Sequence, residues 1–245
     1  MNILLTVQYD GTDYNGWQRQ RNTPHTVQQV LEDALTRRLG TYHKITAAGR
    51  TDAGVHALAM PCCFSCVSLN MPVERLALAL NPLLPEDVRV VGAAVVADDF
   101  DPIICAVSKT YRYQIDNGHI PNVFMRRYAW HVHKGLDDLA MAKAGALFVG
   151  TYDFRAFAAT GGSAKTSVRT IFDLRVYRKG DIVCLDVTGN GFLYNMVRII
   201  TGTLVDVGLG KILPEEVAGI IASLDRKKAG QTAPATGLML LNVVY

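Results

Sequence analysis

The sequence contains little that would mark a secreted, membrane-bound or disordered protein. An uncharged stretch at residues 57–73 is interrupted by proline and polar side chains, and it is shorter than the ~18 residues of a membrane helix. No basic leader precedes an apolar segment at the start. Glycine and proline account for only 21 and 9 of 245 residues, and 49% are hydrophobic. We therefore expect a globular cytoplasmic protein without membrane contact, built as one large or two small domains.

Cysteine is also scarce, and its placement argues against a disulfide framework. The five cysteines are an odd number, and three of them lie within residues 62–66. No second cluster follows at zinc-ligand spacing. We interpret these thiols as small buried side chains. The alternative is a structural metal site to which His56 contributes, and we predict no metal.

Charged residues make up only 19% of the chain and are unevenly distributed. Residues 1–122 hold 10 Lys and Arg against 12 Asp and Glu, whereas residues 123–245 hold 15 against 10. The basic second half permits a polyanionic partner such as RNA. A balanced solvated surface gives the same numbers, so charge alone does not decide between them.

Apolar periodicity in the first half predicts the order β-α-β-β-α-β. Strands are expected at residues 3–9, 42–48, 57–69 and 88–97, and helices at residues 27–39 and 72–80. Because residues 88–97 are apolar on both faces, we expect that strand in the middle of a covered sheet.

The second half approximately repeats this order. Strands are expected at residues 109–116, 128–132, 170–177, 182–188 and 237–244, and helices at residues 136–148, 193–204 and 214–224. The strands at 170–177 and 182–188 flank Lys179-Gly180 and are expected to form a hairpin. A doubly wound parallel sheet fits less well, because repeated strand–strand steps require antiparallel pairs. We therefore predict an α/β (α+β) protein made of two ferredoxin-like split β-α-β units. Their expected limits are residues 1–105 and 106–245, with antiparallel sheets that meet at a central basic cleft.

A compact loop at residues 49–57 has the sequence Gly-Arg-Thr-Asp-Ala-Gly-Val-His-Ala. Its glycines allow a sharp turn, and the short side chains of Thr51 and Ala53 leave Asp52 room to project. An aspartate near glycine is also typical of an ordinary turn, in which the carboxylate binds its own backbone. The residues alone therefore make Asp52 a candidate and go no further.

These nine residues resemble, position by position, the active-site loop of the bacterial tRNA pseudouridine synthase A family, whose members act on positions 38 to 40 of the anticodon arm. Other stretches resemble the family in the same order along the whole chain. They are Tyr9-Asp10-Gly11-Thr12, Gly16-Trp17-Gln18, Thr26-Val27-Gln28, Lys109-Thr110-Tyr111-Arg112-Tyr113, Tyr152-Asp153-Phe154, Gly191-Phe192-Leu193-Tyr194, Met196-Val197-Arg198, Ala233-Pro234 and Gly237-Leu238.

The resemblance implies an isomerase that detaches uracil from its ribose, rotates it and joins C1′ to C5, without a cofactor. It implies that Asp52 is the nucleophile, attacking either C1′ or C6, and a carboxylate suits this role because it is already ionised at neutral pH. It further implies that Arg198 pairs with Asp52 and that Tyr111 stacks on the target uracil and moves the C5 proton. Arg50, in the same loop, is expected to bind substrate. The implied partners are the tRNA anticodon stem-loop and a second copy of the chain, as a homodimer.

The residues themselves leave alternatives open for two of these roles. Arg198 lies off the apolar stripe of its helix, on a side with Thr201 and Gly202 where small neighbours leave space for something to approach. An ordinary solvated arginine gives the same pattern. Tyr111 alternates with Tyr113, as a row of core residues would.

One segment departs from the family pattern. Members usually carry a basic residue soon after a phenylalanine, whereas this chain has Phe100-Asp101-Pro102-Ile103-Ile104-Cys105.

Two other functions are compatible with the sequence. The first is a catalytically silent RNA-binding protein on the same fold. The second is a metal-dependent hydrolase that uses Asp52 and His56.

Overall fold

The computed structural model describes all 245 residues. It is a mixed α+β structure with mostly antiparallel strands, as predicted at the level of fold class. The strands are β1 (Asn2–Tyr9), β2 (Thr46–Ala47), β3 (His56–Ser65), β4 (Val88–Val96), β5 (Ser108–Asp116), β6 (Trp130–His131), β7 (Gly150–Asp153), β8 (Val168–Lys179), β9 (Ile182–Gly189) and β10 (Leu238–Val244). The α-helices are α1 (Val27–Leu39), α2 (Leu76–Leu80), α3 (Asp138–Ala146), α4 (Met196–Gly208) and α5 (Glu216–Ser223).

The chain forms two compact units. The first unit comprises Met1–Val107 together with Leu240–Tyr245, and the second comprises Ser108–Met239. The expected second domain, residues 106–245, includes the last six residues of the chain, whereas these belong to the first unit.

In the first unit, β1 lies between two antiparallel neighbours, β3 and β4, and β2 pairs with β3. Helix α1 begins where the Thr26 side chain accepts a hydrogen bond from the Gln29 amide, and it ends at Gly40 in the left-handed conformation. Its buried face includes Leu31 and Leu35. This helix agrees with the periodicity, because both of its end signals are local.

The prediction that residues 88–97 form a central covered strand was wrong. Strand β4 lies at the edge of its sheet, and the Val91 and Val95 side chains are 54% and 50% exposed. Only its first half is well packed, through Val88 and Val90. An apolar run does not distinguish a strand covered on both faces from an edge strand that leaves valines exposed, because the difference depends on distant elements.

The predicted helix at residues 72–80 is divided into shorter pieces. A 3₁₀ turn at Val73–Arg75 precedes α2, and another at Asn81–Leu83 follows it. The Asn81 side chain binds both backbone groups of Val90, at 2.9 and 3.0 Å, and so fixes the end of α2 to β4.

The second unit has the strand order β5-β9-β8-β7, in which every pair is antiparallel, and β6 adds to β5 in parallel. Strands β8 and β9 form the predicted hairpin, and Gly180 at its turn has a φ of +58°. Helix α4 begins at Met196 rather than at residue 193, because Asn195 takes the left-handed conformation immediately before it. Helices α3 and α4 pack against each other, and α3 packs on β8.

The cysteines are free thiols in different environments. Cys62, Cys63 and Cys184 are buried, Cys66 is half-buried and Cys105 is exposed. Burial raises the pKa of Cys63 to about 11, with a smaller contribution from nearby Asp101. Such a thiol stays protonated at neutral pH and behaves as a small apolar side chain. None of the helices combines the length and apolar character needed to cross a bilayer.

Candidate active site

The loop that carries Asp52 lies in the first unit and is held by the first β-strand and the segment after it. The Thr51 carbonyl accepts a 3.0 Å hydrogen bond from the Trp17 amide, and the Thr51 hydroxyl lies 2.7 Å from the Tyr9 hydroxyl. The Gly54 amide donates to the Tyr14 carbonyl at 3.3 Å. Backbone contacts on both sides therefore fix the position of Asp52.

Glycine is required where this support approaches the loop. Gly16 has a φ of +89°, and a Cβ there would lie 2.7 Å from the Thr51 carbonyl oxygen. A Cβ on Gly11 would overlap the Val55 carbonyl. Gly11 and Gly16, in the two amino-terminal motifs, are therefore needed for close contact with the loop, and nothing in their local sequence indicates this role.

Asp52 is half-buried at the first position of a tight turn. Its carbonyl accepts a 3.1 Å hydrogen bond from the Val55 amide, and Gly54 within the turn has a φ of +79°. Arg50 is exposed on the same loop, and no hydrogen bond or ion pair in the structure engages its side chain. The loop therefore combines a carboxylate on an anchored backbone with a nearby cation that is open to solvent.

His56 is built into the fold at the start of β3. It is 3% exposed, and its Nδ1 accepts a 3.0 Å hydrogen bond from the Gly11 amide. Nowhere in residues 1–245 do three or more His, Cys, Asp or Glu side chains form a group arranged to hold a metal ion. His56 thus holds the Gly11 backbone in place, and the metal-hydrolase alternative does not account for this contact.

Tyr111 lies in the second unit, on β5 opposite Val187 of β9. Its side chain is 8% exposed, and its ring packs edge-on against Phe192 with 5.2 Å between centroids. It faces the same side of β5 as the fully buried Tyr113. The ring therefore lies at the border of the core, where one aromatic side chain both completes the packing and keeps a small exposed area.

Arg198 also lies in the second unit, on the first turn of α4, and it is half-buried. Its Nε donates to the Ala233 carbonyl at 2.7 Å and its Nη1 donates to Asn195 Oδ1 at 2.8 Å. The alternative of an ordinary solvated arginine is therefore wrong. Two directional bonds fix the plane of the guanidinium.

The space expected beside Arg198 is filled by the chain itself. A Cβ on Gly202 would overlap the Gln231 carbonyl, and one on Gly230 would lie 2.6 Å from the Thr203 amide nitrogen. The Ala233 amide in turn donates to the Arg198 carbonyl at 3.1 Å. The small residues of α4 thus allow the backbone of residues 230–233 to pack closely against the helix, and Ala233 of this segment orients the Arg198 guanidinium.

Two further residues belong to the surroundings of Tyr111 and Arg198. The Tyr113 hydroxyl donates to the Pro234 carbonyl at 2.7 Å, and burial raises the pKa of Tyr113 while the charge of Arg198 opposes that rise. Lys109 lies on the same face of β5 as Tyr111, and burial lowers its pKa. Both belong to the Lys109-Thr110-Tyr111-Arg112-Tyr113 motif, in which the family resemblance implies a role for Tyr111 alone.

The segment that departs from the family pattern has its own local structure in the first unit. Asp101 Oδ1 accepts hydrogen bonds from the amides of Ile103 and Ile104, at 2.7 and 3.1 Å. The ring of Phe100 packs against Tyr245 at 4.9 Å. The aspartate therefore closes a turn within this segment.

The structure thus distributes the predicted residues between its units, with Arg50 and Asp52 in the first and Tyr111 and Arg198 in the second. All four lie on or beside tightly anchored backbone. A carboxylate, cations and an aromatic ring are groups suited to contact a nucleotide, so each unit carries candidate residues for a protein that acts on nucleotides.

Comparison with known proteins identifies the family. The family model for tRNA pseudouridine synthase matches residues 5–102 and 144–245. The chain belongs to the tRNA pseudouridine synthase family.

Its relatives match it from end to end. A protein from Pelobacter propionicus named tRNA pseudouridine synthase A is 47% identical over 243 residues, which is 99% of each chain. Proteins of the same name from Thermoanaerobacter sp. (strain X514) and Acetivibrio thermocellus are 45% and 46% identical, over 100% of this chain and 99% of theirs. A crystal structure of a Cbf5-Nop10-Gar1 complex matches with a TM-score of 0.41 and 13% identity, over 97% of this chain and 48% of that one, and this likeness is too weak to support a conclusion.

Proposed function

We propose that this protein isomerises uridine to pseudouridine at positions 38, 39 and 40 of the tRNA anticodon stem-loop. The observation that carries the proposal is the Asp52 loop in a chain of this family: Tyr14 and Trp17 hold its backbone, and the Tyr9 hydroxyl contacts the Thr51 hydroxyl. Such anchoring favours a reactive carboxylate over an aspartate of an ordinary turn, because a nucleophile must be held in a narrow range of positions.

Each of four residues has a distinct task in this proposal. Asp52 attacks the nucleotide, at C1′ or at C6, the N1–C1′ bond breaks, the C5–C1′ bond forms, and the bond to Asp52 is broken before the product leaves. C5 loses its proton in the last step and N1 gains one, so the net reaction is an isomerisation, and Tyr111 stacks on the uracil and assists the proton transfer from C5. Arg198 supplies a fixed positive charge, and Arg50 binds the RNA backbone. The rearrangement needs no redox partner and no transferred group, so the proposal includes no cofactor.

We also propose that both units are ferredoxin-like. The first unit runs β1-α1-β2-β3-α2-β4 with the strand order β4-β1-β3-β2, which is the split β-α-β arrangement. In the second unit, β5, α3, β8, β9 and α4 follow the same sequence of elements, and β9 lies between β5 and β8. The strands β6 and β7 are additions to that pattern.

The proposed partners are tRNA and a second copy of the chain, and the proposed location is the cytoplasm. The basic second half of the sequence, with 15 Lys and Arg against 10 Asp and Glu in residues 123–245, supports binding to RNA phosphate. Family resemblance supports the homodimer.

The test combines product mapping with one substitution. Purified protein is incubated with unmodified tRNA transcripts and no added cofactor, and pseudouridine is located by mass spectrometry. We expect product at positions 38 to 40. Asp52→Asn keeps the size of the side chain and removes the carboxylate, so single-turnover formation of pseudouridine should become undetectable while the tRNA Kd stays near that of the wild type.

The matched control is Asp99→Asn, because Asp99 is an exposed aspartate of the same unit. It should leave both turnover and Kd unchanged. Loss of both quantities in Asp52→Asn would make Asp52 a structural residue, and normal turnover would overturn its role as nucleophile. A wild-type protein that binds tRNA and forms no pseudouridine would instead be the silent RNA-binding protein.

A further inference from the structure

A cavity of about 710 Å³ lies in the first unit between the segment after Trp17 and the segment after α1. Its lining combines cations, amide side chains and one aromatic ring, without a carboxylate. The cations are Arg19, Arg21 and Lys44, and the ring is that of Tyr42. The site described above uses none of these residues.

The cavity wall is braced from inside by a buried carboxylate. Glu32 is 0% exposed, and its Oε1 accepts hydrogen bonds from the Gln28 amide group and the Ile45 backbone, at 2.9 and 3.1 Å. Its Oε2 accepts from Arg19 at 2.9 Å and from the Tyr42 hydroxyl at 3.2 Å. One carboxylate therefore holds a cationic and an aromatic wall residue together.

This brace leaves the Tyr42 ring open to a ligand. The side chain is 57% exposed, and the Arg19 guanidinium lies 5.8 Å from the ring centroid. An exposed aromatic ring backed by a guanidinium is a suitable platform for a stacked base. A solvent-facing ring with no binding task would gain little from such bracing.

Two cations of the lining remain available for an anion. Arg21 and Lys44 are exposed, and no hydrogen bond or ion pair in the structure engages either side chain. Arg19 is already neutralised by Glu32. The cavity thus offers two unneutralised positive charges beside a stacking surface, with amide groups that can read the edge of a base.

The cavity also adjoins the Asp52 loop along the chain. Trp17, whose amide holds the Thr51 carbonyl, is followed directly by Gln18 in the lining. The Gln18 side chain donates to Gln28 at 2.7 Å, and Gln28 in turn binds Glu32. The support of the loop and the support of the cavity are therefore one connected structure.

We infer that this cavity is a second RNA-binding site, which holds one backbone phosphate and one unpaired base of the RNA substrate apart from the target uridine. The inference rests on the proposed function. The phosphate lies against Arg21 and Lys44, and the base stacks on Tyr42. An acidic peptide would pair with Arg21 and Lys44 but would make no use of the exposed Tyr42 ring.

The test measures tRNA affinity as a function of salt. Arg21→Gln and Lys44→Gln should each reduce the slope of log Kd against log salt by about 1, since each removes one phosphate contact. Tyr42→Leu should weaken binding roughly tenfold and leave the slope unchanged, because stacking does not release counterions. Tyr42→Phe keeps the ring and loses only the hydroxyl that binds Glu32, so it should retain most of the affinity, and the larger loss in Tyr42→Leu is assigned to stacking.

The control variant is Arg75→Gln, which removes an exposed cation of the same unit outside the cavity. Its slope and affinity should match those of the wild type. Unchanged binding in Arg21→Gln, Lys44→Gln and Tyr42→Leu, with a wild type that modifies tRNA, would overturn this inference and leave the proposed function intact. A wild type that neither binds nor modifies tRNA would instead overturn the proposed function.

Binding of uridine 5′-monophosphate to the wild type and to Lys44→Gln distinguishes RNA from a free nucleotide. If the mononucleotide binds only when Lys44 is present while tRNA affinity is unaffected by the substitution, the cavity serves a free nucleotide and our inference is wrong.

Discussion

The guanidinium of Arg198 is held in a defined orientation by groups that come from both sides of its own sequence position. Asn195 precedes it by three residues, and Ala233 follows it by 35. A lysine at this position would keep the charge, but an ammonium group is a point charge without a fixed plane. We therefore expect the role proposed for Arg198 to depend on orientation as well as on charge.

We predict that Arg198→Lys lowers kcat for pseudouridine formation about 100-fold, the cost typical of losing one preorganised donor. The thermal midpoint should fall by only a few degrees, because the residue is half-buried and its partners stay in place. Single-turnover kinetics and a melting curve on the same preparation check this.

Arg175→Lys is the matched control, since the Arg175 side chain is 74% exposed and pairs only with Asp173 in a surface salt bridge. Wild-type turnover in Arg198→Lys would show that the fixed guanidinium has no part in the reaction.

At the scale of elements, helix α4 depends on close contact with residues 230–233. Gly202 and Gly230 lie where each segment meets the backbone of the other. The Gly230 amide also donates to the Thr203 hydroxyl at 2.9 Å. Because Ala233 in the same segment orients Arg198, the packing of two elements and the geometry of one site residue are coupled.

We predict that Gly202→Ala destabilises the protein by about 1–3 kcal/mol, because the added methyl group overpacks a closed contact. It should also reduce turnover beyond what the loss of folded protein explains, since residues 230–233 must move. Denaturant unfolding and kcat of the folded fraction measure the two effects.

The matched substitution is Gly219→Ala, in the middle of α5, where a Cβ would meet nothing within 4 Å. It should stabilise the protein by about 0.5–1 kcal/mol through helix propensity and leave turnover unchanged. Equal effects of the two substitutions would contradict the packing argument.

At the scale of the whole molecule, the distribution of charge along the chain determines where we expect tRNA to be attracted. The net charge is only +3, yet residues 123–245 hold five more basic than acidic side chains. Long-range attraction of tRNA should therefore act mainly on this half, whereas the cavity of the first unit adds local contacts.

We predict that tRNA affinity falls at least tenfold between about 50 and 200 mM salt, because several phosphates release counterions when they bind. Filter binding or anisotropy at four salt concentrations gives the slope. A salt-independent Kd would exclude an electrostatic mode of binding, and an uncharged osmolyte of equal osmolarity controls for general effects of the solution.

Much of the fold follows from local sequence patterns. The ends of α1 are set by Thr26 and Gly40, and the β8–β9 hairpin is set by Gly180, so both were predicted correctly. The edge position of β4 was not predicted, because its neighbours come from distant parts of the chain. Strand β2 was predicted over seven residues and spans two, since pairing with β3 decides its length.

The sequence by itself determined the family, the class of fold and the candidate residues Arg50, Asp52, Tyr111 and Arg198, because contiguous motifs and apolar periodicity are local properties of the chain. Only the tertiary structure decided what supports them: that Tyr9 and Trp17 hold the Asp52 loop, that residues 230–233 orient Arg198, and that a buried Glu32 braces a cationic cavity. The physical reason is that each of these contacts joins groups far apart in sequence, whose approach is fixed by the packing of whole elements and leaves no local pattern.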